Sequence, residues 1–135
     1  MSKIVLYPFN EKYVWTSTVP KFRKWVKERH DAFRHDYNTA RPNDRFIFSL
    51  RTGPAKWIMV GEATVTSNHT VGKEKESCPL CKENSPYDKD FLVHIQTVNY
   101  TEYQKDVDAR DEAGIALRMF AIVSPDEYER LQEMI

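Results

Sequence analysis

The chain has 135 residues, 41% of them hydrophobic and 30% charged, with three tryptophans, seven tyrosines and seven phenylalanines; this length supports one core rather than two and this aromatic content argues against disorder, so repeat arrays and multi-domain architectures are excluded. The longest apolar run, Met119 to Val123, falls far short of the ~18 residues of a membrane span, and the opening residues lack a signal-peptide stretch; the expectation is a single domain over residues 1–135, with no membrane partner and a cytoplasmic location. Net charge is zero, but from Pro20 to Trp57 ten basic residues stand against four acidic ones, and from Ile58 onward eight against fifteen. That segregation offers either a positive face for a polyanion or a set of solvated positions balanced by acidic neighbours across the fold.

In chain order, Ile4 to Tyr7 is a short apolar run closed by Pro8 and reads as a strand. The cluster Thr16-Ser17-Thr18 ahead of Pro20 reads as the cap of a helix. Phe22, Trp25, Val26, Arg29 and Phe33 then recur at three- and four-residue intervals, which extends that helix as far as Phe33 and closes it before Arg41-Pro42-Asn43. Asp44 to Leu50 alternates with Phe46 and Phe48 on one side, and Thr52-Gly53-Pro54 turns the chain into a second strand from Trp57 to Thr66. Gly61 within that strand marks a bulge or a close backbone approach.

Apolar periodicity disappears from Ser67 to Asp90, so residues 67–90 read as a long loop or insertion. A strand over Phe91 to Tyr100, a short helix or turn over Lys105 to Glu112, and a last strand over Leu117 to Val123 follow. Ser124-Pro125-Asp126-Glu127 carries a capping serine, a proline in the first helical turn and a glutamate three residues on, and so predicts a C-terminal helix. The fold class expected is α+β: a strongly bent five- to six-stranded sheet or small barrel, with two or three helices.

Four stretches carry a family likeness: the opening strand followed by Asn10, Trp15 and Trp25; Arg41 to Phe48; Trp57 to Ala63; and Arg118 to Tyr128. In order and spacing they resemble the EVE domain of the PUA-like superfamily, to which the YTH and ASCH domains also belong. Asn43 stands where that family has glycine, and asparagine also takes the left-handed backbone. The resemblance implies a nucleic-acid-binding module that captures a modified or flipped nucleobase of DNA or RNA in an aromatic pocket. On that reading Trp15 and Trp25 supply stacking walls, Asn10, Ser17 and Ser49 read the base edge, and Arg51, Lys24 and Lys27 hold the backbone charge. Without the likeness, Trp25 among helix aromatics reads as packing, Asn10 as a turn former and Arg51 as a solvated hairpin end.

Cys78-Pro79-Leu80-Cys81 has the spacing of a metal knuckle, with His69 and His94 as the nearest further ligands. Structural zinc would pin the long loop; a local disulfide and two inert thiols are the alternatives. His30 and His35 have no such companions. An enzyme is the less favoured class, because no nucleophile elbow, phosphate loop or metalloprotease motif is present. Two alternatives to the base reader remain: a small hydrolase of modified nucleosides like some ASCH relatives, using Lys24 or Lys27 with Glu62, and a zinc-pinned interaction module.

Overall fold

A computed structural model describes residues 2–10, 18–35, 37, 39–70, 78–82, 93–117 and 122–135. Strand β1 (Ile4–Leu6) is followed by helix α1 (Val19–Arg29) and strands β2 (Ala32–His35), β3 (Arg45–Gly53) and β4 (Lys56–Thr70). A single-turn helix α2 (Pro79–Lys82), the long strand β5 (Val93–Asp108), strand β6 (Ile122–Val123) and helix α3 (Pro125–Met134) complete the order. The six strands form one strongly curled half-barrel in the order β2-β5-β4-β3-β1-β6. Among the described strands the β1–β3 pairing is parallel and the others antiparallel, and an isolated parallel bridge joins Phe9 to Leu50. The α+β expectation, a bent sheet with few helices, is what the chain builds.

Alternation along β3 creates two cores. Phe46, Phe48 and Leu50 face a first core with Val5, Phe9, Phe33 and the α1 residues Phe22 and Val26. Ile47, between them, faces a second core with Met59, Tyr103, Val107 and Leu131 of α3. Side chains of period two on β3 therefore feed both faces, one covered by each long helix. In the first core Phe9 touches Phe22, Phe33, Phe46 and Phe48 at centroid distances of 5.5, 5.5, 6.1 and 5.9 Å, mostly tilted or edge-on as ring quadrupoles prefer.

Helix α1 begins as expected, with Thr18 Oγ1 accepting from Lys21 N and proline in the first turn. It ends earlier than its spacing predicts. The last turn gives way at His30, and Phe33 belongs to β2, paired with Ile95 of β5. Thr97 takes over there: its amide donates to the Asp31 carbonyl and its hydroxyl to that of His30, satisfying groups that further helix would have used. A strand residue two places from a core neighbour and a helical residue three or four places away look alike over so short a run.

Two further boundaries move. Ser67 to Thr70 extends β4 rather than opening the loop, because all four residues pair with β5 although none follows an apolar rhythm. Likewise β5 runs on to Asp108, through three register shifts against β4 and a left-handed Asn99 (φ 58°) that interrupt its alternation. The expected helix or turn is a turn over 109–113, with Asp108 Oδ1 accepting from the Arg110 and Asp111 amides. Of the expected strand over Leu117 to Val123, Ile122 and Val123 are extended, Leu117 is not, and 118–121 lie outside the described residues.

Several local expectations hold. Asn43 is left-handed (φ 75°) in the turn before β3. There Asp44 accepts from the Lys3 and Arg41 amides at 3.0 and 2.8 Å and pairs with the Lys3 ammonium. Gly61 sits at a bulge, and a Cβ there would lie 2.6 Å from Tyr100 Cε1. Helix α3 opens with a full capping box between Ser124 and Glu127. Among the described residues no helix is long and apolar enough to cross a membrane.

Candidate metal centre and the expected base site

Strands β4 and β5 pair so that His69 and His94 stand directly opposite one another. Their rings lie edge to face with centroids 5.5 Å apart. Val93 and Ile95 belong to the first core, so the intervening His94 points to the opposite face of the sheet, where it is fully buried. Over this pair sits the turn of α2, closed by the Cys81 amide on the Cys78 carbonyl at 3.1 Å. That turn bends both thiols the same way, the geometric reason for two-residue cysteine spacing in metal knuckles.

The four side chains converge. Cys81 Sγ lies 3.0 Å from His69 Nε2 and 2.6 Å from His94 Nδ1, and Cys78 Sγ lies 3.7 Å from His94 Nδ1. All four ligand atoms fall within 4.8 Å of one another, and both cysteines are free thiols rather than a disulfide. A tetrahedron with Zn–S bonds of ~2.3 Å and Zn–N bonds of ~2.0–2.1 Å has edges of about 3.3 to 3.8 Å. The observed set brackets those lengths, and two imidazoles with two thiols form a donor set suited to zinc. The ligand set expected from the spacing is thus assembled by the fold: two histidines locked by strand register, two cysteines by a single turn. Residues 71–77 and 83–92, which join the turn to the strands, lie outside the described residues.

The residues expected to read a base are distributed differently. Trp15 and Ser17 lie outside the described residues. Trp25 is half-buried on α1 and packs on the first core, 5.2 Å from Phe9, 6.1 Å from Phe22 and 6.5 Å from Phe33 by ring centroids. Asn10 is exposed and follows Phe9, whose backbone is bridged to β3 by the Phe9 amide on Ser49 O and the Arg51 amide on Phe9 O. Ser49 does not join Trp25. It lies between Phe48 and Leu50 of the first core and pairs with Met59 of the second, so its fully buried side chain belongs to the other face. Arg51 shares that parity, opposite Trp57, and its guanidinium caps the hairpin through the Gly53 and Pro54 carbonyls.

On α1, Lys24 and Lys27 are both exposed. Lys27 Nζ pairs with Glu102 at 3.2 Å, and Arg23 with Asp106 at 2.5 Å and Glu102 at 3.4 Å. Arg23 and Lys27 of α1 thus meet acidic residues of β5, so part of the basic segment is balanced across the fold. For the hydrolase alternative, Glu62 is held elsewhere. It accepts from Tyr128 Oη at 2.7 Å, Gln132 Nε2 at 3.1 Å and Arg45 Nη1 at 3.3 Å, tying α3 to the sheet. Neither Lys24 nor Lys27 is among these partners, and α1 covers the first core whereas α3 covers the second. Burial, with Glu62 beside it, pushes the Tyr128 phenol up to about 12.

Two features were not legible in the pattern. The Glu62 network depends on α3 crossing the sheet, which no spacing reports. Arg34 of β2 donates to the Leu80 carbonyl, inside the knuckle, at 3.1 Å; only strand register brings it there. No family model, curated protein or solved structure matches this chain.

Proposed function

We propose that the chain is a zinc-containing nucleic-acid-binding module. Zinc held by His69, Cys78, Cys81 and His94 fastens the long connection to one face of the sheet, and the α1 side of the domain takes a modified or extruded base of DNA or RNA. The observation that carries the metal is the convergence of the four ligand atoms within 4.8 Å. The base reading rests on the half-buried Trp25 and on exposed Lys24 beside it, together with the resemblance to base-capturing domains. A module of this kind binds and releases; it needs no reacting group.

Metal analysis of reduced, purified protein tests the first half: about one zinc per chain, lost in Cys78→Ser, is the expected result for a four-ligand structural site. Binding to modified and plain oligonucleotides across a salt series tests the second. Preference for the modified base with affinity falling steeply in salt supports the reader, and Trp25→Ala should remove the preference while a zinc-loaded fold persists. Zinc without any oligonucleotide binding supports the second reading, a zinc-pinned interaction module. The ion pairs that occupy Arg23 and Lys27, and the placement of Ser49 and Arg51 on the far side of β3, favour that alternative.

A further inference from the structure

We infer that Arg34 is a positioning residue of the metal centre, one that holds the cysteine turn by its peptide oxygen and never touches the ion. The inference rests on the zinc reading above. Arg34 is in register with His94 across β2–β5, and His94 with His69 across β5–β4. The three positions therefore form one row over three strands, on the face away from Phe33 and Ile95 of the first core.

The turn that bears both sulfurs must be held against this row. Its helix has four residues, too few to be stable alone, and it packs on β2. Arg34 Nη2 donates to the carbonyl of Leu80, the residue directly before Cys81. That bond fixes the peptide between the two sulfurs. It also brings a guanidinium onto the turn that carries the two sulfurs. Partners of this outer kind orient the ligands, and losing one typically weakens metal binding by about 10- to 100-fold.

Wild type, Arg34→Ala and Arg34→Lys, each stripped by a chelator, would be titrated with cobalt and zinc against a chromophoric competitor, and the metal-free forms melted in parallel. Arg34→Ala should bind about 10- to 100-fold more weakly, with cobalt absorption bands altered from wild type and a metal-free melting curve that overlays the metal-free wild type. Arg34→Lys, which keeps the charge, should recover part of the loss. Affinity of Arg34→Ala within about twofold of wild type, well below the usual cost of such a partner, overturns the inference. So does an equal drop in melting temperature with and without metal, which would make Arg34 merely structural. If wild type itself takes up neither metal, the zinc reading falls and this role falls with it.

Discussion

The aromatic core beneath α1 and the four-ligand cluster on the opposite face share strands β2, β5 and β4, yet their cohesion has different origins. In the core, Phe9, Phe22, Phe33, Phe46 and Phe48 each touch two or more rings, so stability is distributed over many weak contacts. At the cluster four potential ligand atoms lie within 4.8 Å of one another, and under the zinc proposal cohesion there is concentrated in a single ion. Distributed packing degrades by degrees, whereas a coordination shell is either complete or lost. The same strand, β2, serves both: Phe33 on one side, Arg34 on the other.

The largest expected effect lies in the core. Phe46→Ala, at a fully buried ring contacting Phe9, Phe33 and Phe48, should cost about 3–5 kcal/mol in denaturant unfolding, while any refolded protein keeps its metal affinity. Loss of metal affinity in step with stability would break the separation of the two regions. Chelation of the loaded protein comes next. With free zinc at a thousand times its dissociation constant, stripping should remove about 4 kcal/mol, read as a melting-temperature drop absent in Cys78→Ser.

Gly61→Ala sharpens the contrast from the core side. The added Cβ meets Tyr100, whose ring stacks on His30 at 4.8 Å and edges Phe48 at 5.6 Å. Overpacking of this kind should cost about 1–3 kcal/mol, with cobalt spectra of the cluster unchanged.

The effect smallest near neutral pH, growing only as pH falls, is a slope with pH. Burial drives the His35 pKa down from 6.5 to about 3, against the opposing pull of the Pro8 and Tyr7 carbonyls. The folded state therefore binds this proton more weakly than the unfolded chain. Its contribution is full above pH 6.5 and is lost as pH falls from there toward 3, by up to about 1.4 kcal/mol per unit. His35→Gln, which retains an acceptor for the Tyr37 amide bonded to His35 Nδ1 at 3.0 Å, should flatten that slope in metal-free protein. An unchanged slope would assign it to other groups.

Legibility in the sequence followed the range of the forces involved. The α3 capping box, Asn43 and the Gly61 bulge are set within a few residues, and each was readable from residue type alone. The Cys78–Cys81 spacing was readable for the same reason, and His69 and His94 as its nearest further candidates. Strand limits were not: Ser67 to Thr70 is held by pairing with β5 rather than by burial rhythm, and bulges reset the alternation of β5. Nor was the face on which Ser49 and Arg51 fall relative to Trp25, because a period of two assigns sides only once the neighbouring helix is placed.

The register of β1 bears on how this chain reaches its final form. Ile4 pairs with Arg45 on one flank and with Val123 on the other, so one edge of that strand stays bare until the chain as far as Val123 has emerged and turned back. Contacts so distant along the chain slow folding, and while β1 waits, its open backbone edge is the place where nascent molecules would pair with each other.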